Sequence, residues 1–433
     1  MLKSILLTLA CFGLASVSAY AQEPSNPAQL GTAPLTREDA ERSNFVNYGI
    51  SSSATFDDNA LGSGASNIAT SVQPQLGITV SRARMQSHFS YAPSYTFSTN
   101  LASQSGTSQA AGGELQYSLS KRLTASLRGS FVTTSNPIES VRANAELPQI
   151  GILERPADPF LGAQVHQTRD QFSSDLAYRM TRYTSVGAGG TFSDSIYRTE
   201  LEGGNLTGQA FRSQAWSGHT FASHRFSPTY TFGFTYTAQN FSSKESGSSV
   251  LTQSPLGVVS IDLNPHVQLS VFAGPEFSDV NSSLVGIAAN LPQERTISLS
   301  YGSTFQWQGQ RNGLGASYIQ RVGDSSLVGT TTGAVRARMV DFHAERQLTR
   351  RMTLNLFTDY LSNSALQQLV AVPSFDSITG GVSISRPLTR SIAVSVSGFH
   401  QEILSPNIAM FGIATHNVVA VSVNYGFVKP IGR

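Results

Sequence analysis

The sequence has almost no cysteine, little charge and few long apolar runs, and each shortage excludes something. One cysteine, Cys11, occurs in 433 residues. It lies in an N-terminal stretch expected to be removed on export, so neither disulfides nor thiol catalysis belongs to the mature chain. Charged residues make up 13% of the chain, against roughly 25% in ordinary globular domains. The formal net charge of +2 is spread along the sequence, and nothing in it points to nucleic acid as a partner. Beyond the N-terminus no stretch approaches the roughly 20 apolar residues that a membrane helix requires. A chain neither strongly apolar nor strongly charged can still cross a bilayer if apolar residues alternate with small polar ones.

The first residues indicate the compartment. Met1-Leu2-Lys3 supplies a short positive start, Ser4 to Ser18 is apolar, and Ala19-Tyr20-Ala21 is a small-x-small cleavage pattern before Gln22. Residues 1–21 are therefore expected to be a secretory signal peptide. Reading Cys11 as a lipoprotein cysteine is disfavoured, because Thr8-Leu9-Ala10 is a poor lipidation context and a cut there would bisect the apolar run. Residues 22–44, with Pro24, Pro27 and Pro34 and the charged cluster Arg37 to Arg42, read as a periplasmic lead-in too short for a plug domain.

From there the period is two. Val419, Val421, Val423, Tyr425 and Phe427 share one face, and Val418, Ala420, Ser422, Asn424 and Gly426 the other. Ile392, Val394 and Val396 alternate with Ala393, Ser395 and Ser397. Val267, Leu269, Val271 and Ala273 alternate with Gln268, Ser270, Phe272 and Gly274. Tyr230, Phe232, Phe234 and Tyr236 alternate with Thr231, Gly233, Thr235 and Thr237. Leu123, Ala125, Leu127 and Phe131 face away from Thr124, Ser126, Arg128 and Ser130. Alternation over about ten residues is what a strand with one apolar and one polar face requires.

Short turns of a recurring type separate pairs of these segments. They lie at Leu119–Arg122, Met180–Tyr183, Leu348–Arg351, Leu388–Ser391, Ser81–Arg84, Arg225–Pro228, Asn264–His266 and Gly309–Asn312. Longer polar segments alternate with them: Asp57–Ile68, Ser242–Ser249, Gly323–Thr332, Leu404–Gly412 and the much longer Thr134–Gln167. Short turns at one end and long loops at the other predict an all-β, transmembrane, antiparallel up-and-down barrel. Backbone groups in lipid must all be paired, so a spanning sheet has to close on itself. The turn count gives about 18 strands, with 16 as the alternative, over residues 45–428 and a tail at 429–433.

A barrel of this size leaves an aqueous lumen, and its polar face should carry selectivity. The alternation assigns Glu114, Arg128, Asp175, Arg179, Glu276, Arg321 and Asp359 to that face, as pore lining or as cross-strand pairs stabilising the wall. Arg336 and Arg338 look inward, but Val340, Phe342 and Ala344 continue on their face, which calls for a bulge between them. In Thr134–Gln167, Ile152, Glu154, Arg155 and Asp158 belong to a loop that either folds into the lumen and narrows it or stays outside. The eight histidines find no G-x-S-x-G or H-E-x-x-H partner motif, so catalysis is not expected, and neither is a cofactor. Phe56-Asp57-Asp58-Asn59 is either a calcium-binding cluster or, preferably, the polar start of a loop.

A strand ending in aromatic-Asp-Asp-Asn soon after a short mature N-terminus resembles the β-barrel porin family found beside exopolysaccharide gene clusters. The closing Tyr425-Gly426-Phe427-Val428-Lys429-Pro430-Ile431-Gly432-Arg433 also resembles the ends of such barrels. The resemblance implies a porin-like barrel tied to polysaccharide export and carries over no catalytic residues. Many such barrels end on an aromatic residue, whereas this chain runs on past Phe427. Three functions follow: a passive pore for small hydrophilic solutes, an accessory barrel for exporting or anchoring polysaccharide, and a structural or adhesive barrel with a closed lumen. The expected partners are outer-membrane lipid and lipopolysaccharide, the barrel-assembly machinery, and the solute or polysaccharide, with the oligomeric state open.

Overall fold

A computed structural model of the chain describes residues 44–59, 66–99, 105–134, 164–200, 210–243, 248–281, 294–324, 334–365, 375–404 and 415–431. The expected signal peptide, most of the lead-in and the core of the longest loop lie outside these residues. Every regular element described is a strand: β1 (Phe45–Asp57), β2 (Asn67–Arg82), β3 (Met85–Ser98), β4 (Gly106–Ser118), β5 (Leu123–Thr134), β6 (Gln164–Arg179), β7 (Thr184–Glu200), β8 (Ala210–Arg225) and β9 (Tyr230–Ser243). The second half continues with β10 (Ser248–Asn264), β11 (Val267–Asn281), β12 (Glu294–Gln308), β13 (Asn312–Asp324), β14 (Ala334–Thr349), β15 (Met352–Ala365), β16 (Phe375–Pro387), β17 (Ile392–Leu404) and β18 (Thr415–Pro430).

Each strand pairs antiparallel with its chain neighbours, and β1 also pairs with β18, so the sheet is a closed 18-stranded barrel. Closure matters physically because a free strand edge in lipid would leave a row of unpaired backbone groups. The β1–β18 ladder covers all of β1, from Phe45↔Pro430 to Asp57↔Val418. Lys429 and Pro430 were expected in a tail, but they belong to β18 because Phe45 and Val46 supply partners for them.

The recurring turn chemistry has a local cause. The Ser120 hydroxyl accepts the N–H groups of Arg122 and Leu123. Thr181 does the same for Tyr183 and Thr184, Ser227 for Thr229 and Tyr230, and Thr389 for Ser391 and Ile392. A short hydroxyl side chain thus satisfies donors that the tight turn strips from the ladder. All eight such turns lie at one end of the barrel.

The alternation divides the wall as its residue types demand. Ile50, Leu76, Phe89, Phe172, Phe232, Val271, Leu356, Val396 and Val421 are exposed on the outside. Tyr117, Tyr178, Tyr230 and Phe427 lie on that same outer face near the short-turn end, and Phe56, Tyr95, Phe97 and Phe277 near the long-loop end, as the aromatic girdles of a membrane barrel require. Inner positions carry mostly Ser, Thr, Asn, Gln and Gly. Two inner aromatics lie over glycines of the next strand: a Cβ at Gly302 would meet the Phe272 ring at 2.6 Å, and one at Gly381 the Phe357 ring at 2.4 Å.

The Asp-Asp-Asn cluster fastens the closure. Asp58 Oδ1 and Oδ2 accept the Asn417 backbone N–H at 2.8 Å and its side-chain amide at 2.6 Å. Asn59 Nδ2 donates to the Thr415 carbonyl at 2.6 Å. Among the described residues no group of three or more His, Cys, Asp or Glu could hold a metal ion. Hydrogen bonds to a charged acceptor contribute roughly 1.5–3 kcal/mol, discounted here because the site is exposed. Asp58→Ala should therefore weaken the β1–β18 seam at its long-loop end by about 1–2 kcal/mol. The readout is a lower temperature for loss of the folded band on unboiled gels, with Asp58→Asn intermediate; unchanged heat resistance in both would remove the clamp role.

Candidate functional site on the inner wall

The inner wall has a neutral arc and a charged arc. Across β15, β16, β17, β18, β1, β2 and β3, residues in register form one row: Thr353, Ser385, Ser395, Ser422, Ser53, Ser71 and Thr96. All seven carry a hydroxyl. Ser53 and Ser71 bond to each other at 2.6 Å, and Ser395 and Ser422 at 2.5 Å. A flanking row reads Asn355, Ser383, Ser397, Ala420, Thr55, Ala69 and Ser98.

Barrel strands tilt, so a row perpendicular to them climbs the wall. This one begins at the second residue of β15, at the short-turn end, and reaches the third residue from the end of β3, at the long-loop end. It therefore runs as a spiral of hydroxyls from one mouth towards the other. Its lower part is half-buried, at Thr353, Ser385 and Ser395, while Ser422 and Thr96 are each 1% exposed. Burial along the row thus increases from the short-turn end towards the long-loop end.

The charged arc starts beside the neutral one. His88, Glu114 and Arg128 are successive register partners on β3, β4 and β5, and Arg128 Nη2 lies 3.2 Å from Glu114 Oε1. Asp175 on β6 reaches across β7 to His219 on β8, Oδ1 to Nε2 at 3.0 Å. That reach needs a glycine between them: a Cβ on Gly189 would sit 2.1 Å from Asp175 Oδ1 and 2.7 Å from His219 Cε1. Asp341 faces Asp359 in register on β14 and β15, with His343 at 3.6 Å from Asp341.

Of the residues assigned to the polar face, Glu114 and Arg128 form one pair and Asp175 is paired with His219. Arg179 ends β6 at the short-turn mouth and is exposed. Asp359 lies beside Asp341. Glu276 and Arg321 are buried near the long-loop end, close enough to interact, and the Ser254 hydroxyl also bonds the Glu276 carboxylate. Ile152, Glu154, Arg155 and Asp158 lie outside the described residues.

Arg336 and Arg338 are a correction. The β13–β14 ladder runs without a register shift from Asp324↔Ala334 to Asn312↔Arg346, so no bulge separates them from Val340. Arg338 is exposed and its Nε donates to Gln320 Oε1 at 3.0 Å, whereas Arg336, opposite Val322 on the ladder, is half-buried and close enough to the inner-wall Glu276 to interact. β14 has 16 residues, more than the roughly 9–11 that cross a bilayer, so its end can carry charge outside the hydrocarbon.

Local reading of the sequence does not find where the end of β13 lies. β13 pairs with β12 only from Gln308↔Gly313 to Tyr301↔Gln320. Beyond Gln320 it crosses the inner face, where the Val322 N–H donates to Glu276 Oε2 of β11 at 2.8 Å. The Val322 side chain is 0% exposed and belongs to a buried cluster with Phe241, Val250 and Val280 of β9, β10 and β11. The only local signal is apolar Phe241, Val250 and Val280 at inward-facing positions beside loops.

No protein-family model matches the sequence, and no curated protein does. The exopolysaccharide-associated type implied by the chain ends thus gains no support from these comparisons. Among solved structures the chain is similar to OccK2 of Pseudomonas aeruginosa, at 9% identity and a TM-score of 0.46, covering 89% of this chain and 98% of that one. OccAB1 of Acinetobacter baumannii gives 8% and 0.44 over 90% and 99%. The FrpB iron transporter of Neisseria meningitidis gives 9% and 0.45 over 88% and 81%. Similarity at this level assigns neither a solute nor a mechanism.

Proposed function

We propose that the chain is an outer-membrane pore through which small neutral hydrophilic solutes, above all polyhydroxylated ones, pass by diffusion. The observation that carries this reading is the spiral of seven hydroxyls from Thr353 to Thr96. A solute that sheds water in a narrow lumen needs replacement hydrogen bonds that are individually weak and repeated, so that it can leave each one. Serine and threonine both donate and accept, which suits a sugar hydroxyl and gives no preference to either ion sign. Glu114 and Arg128 pair opposite charges locally on the wall. In this reading the short-turn end faces the periplasm, and lipid and lipopolysaccharide surround the outer face after insertion by the assembly machinery.

A polysaccharide chain would use the same row, and the row's length favours that as a second reading. Conductance of the refolded full chain in planar bilayers tests both. Stepwise, weakly ion-selective channels blocked by neutral oligosaccharides support the pore. Block that strengthens steeply with oligosaccharide length moves the polysaccharide reading ahead, and a folded barrel without conductance leaves the structural one. Deleting Pro148 to Phe160 should raise single-channel conductance if that loop narrows the lumen; unchanged conductance assigns it to the outside.

A further inference from the structure

Resting on the pore reading, we propose that the long-loop end of β13 is a gate made from the wall itself, latched here against the inner face of β9–β11 and able to zip instead onto the free edge of β12.

Both resting places are specified by the residues. β12 is paired to β11 along Glu294–Trp307, but its Glu294–Ser300 stretch has no β13 partner. Continuing the existing register past Tyr301↔Gln320 would set Ser300 opposite Arg321, Leu299 opposite Val322 and Ser298 opposite Gly323. The faces then match. Val322 falls on the outward side of β13, where Leu314, Ala316 and Tyr318 stand, beside outward Leu299. Arg321 falls inward beside Ser300. An apolar residue on an outward position is what a lipid-facing state of β13 needs, although this structure buries Val322 completely.

The latched state uses substitutes for the missing ladder. Glu276 takes the N–H of Val322 that a β12 carbonyl would otherwise accept. The Gln320 side-chain amide donates to the Leu299 carbonyl at 3.3 Å, and the Ser300 hydroxyl to the Gln320 carbonyl at 3.4 Å. Latching also leaves polar atoms unmatched: Arg321 Nη1, Arg336 Nε and Ser298 Oγ are buried without hydrogen-bond partners, a cost that zipping can relieve.

The receiving wall is itself loosened. The β10–β11 ladder skips from Gln253↔Phe277 to Gly257↔Ala273, around Pro255 and Pro275, neither of which has a ladder N–H to give. Glu276 lies in that gap, and its carboxylate takes the β13 N–H alongside the Ser254 hydroxyl. Two packings of one segment, each satisfying part of its backbone, make a bistable element. Zipping removes Val322 from Phe241, Val250 and Val280 and so clears the inner face of β9–β11 and widens the lumen at the long-loop end.

Two double variants of the full chain in a Cys11→Ser background trap the two states. Val280→Cys with Val322→Cys should form a disulfide in the latched state, and Leu299→Cys with Val322→Cys in the zipped one. Crosslinking is read on non-reducing gels of membrane-inserted protein, and conductance in the same samples with and without reductant. Both disulfides should form; the zipped trap should raise single-channel conductance by roughly twofold or more, and reductant should reverse it. Glu276→Ala should speed formation of the zipped disulfide by about tenfold. If only the latched disulfide forms, the segment does not move and the gate is overturned while the pore reading stands. If both form and conduct equally, movement does not gate. If both form and neither conducts, the pore reading fails and the gate with it.

Discussion

Val421→Arg should abolish assembly of the barrel in membranes. Val421 sits midway along β18, on the outside, 45% exposed and flanked in register by Ala54 of β1 and Val396 of β17. All three belong to the apolar belt. A cation near the bilayer midplane of a barrel costs roughly 2–4 kcal/mol, a large part of the roughly 5–15 kcal/mol that holds a typical protein folded. The position adds a second penalty, because β18 closes the barrel and a closing strand that does not pair leaves two edges open in lipid. Ser385→Arg is the control: that residue is half-buried on the inner face near the short-turn mouth, where the cation can stay hydrated. The expected result is loss of the heat-resistant folded band for Val421→Arg and its retention for Ser385→Arg. Normal assembly of the first would mean that the outer face of β18 has been assigned the wrong way round.

That face was legible because period two is a local property. Each strand has to satisfy lipid on one side by itself, so Val419 to Phe427 declare their face without reference to any other strand. The eight turns were legible for the same reason, since Ser120, Thr181, Ser227 and Thr389 cap donors within three residues of themselves. What was hidden depends on residues far apart in the chain. Asp58 meets Asn417 359 positions away, so a closure clamp could pass for the start of a calcium loop. Val322 follows the outward alternation of β13, and its burial is decided by Glu276, 46 positions earlier. Arg336 and Arg338 invited a bulge because apolar Val340, Phe342 and Ala344 continue on their face; the alternation is intact, and Arg336 meets Glu276 of β11 only because the paired ends of β13 and β14 fold over the inner wall. The hydroxyl spiral is likewise a property of register, which no single strand contains.

Converting Ser385, Ser395 and Ser397 together to alanine should weaken block by neutral oligosaccharides added from the short-turn side while leaving ion conductance nearly unchanged. Ser385 and Ser395 lie on the half-buried lower part of the spiral, with Ser397, also half-buried, beside it. Ser395 is joined to Ser422 and faces Ser385 in register, and Ser397 belongs to the flanking row. Each hydroxyl removed deletes a donor and an acceptor from the wall without changing a charge, so ions lose little. A sugar loses up to three exchangeable hydrogen bonds, each contributing on the order of 0.5–1.5 kcal/mol net. Because water fills part of the gap, the blocking constant should rise by about tenfold, which corresponds to about 1.4 kcal/mol. Stability should suffer less, since a half-buried serine in a barrel wall gives up one weak side-chain bond and keeps its ladder. The same substitutions placed on the charged arc, at Ser126 and Ser173, provide the contrast. If sugar block falls equally there, any polar wall would serve and the spiral has no special part. If it falls only along Thr353 to Thr96, register rather than composition selects the solute, and the climb of that row from mouth to mouth becomes the path it follows.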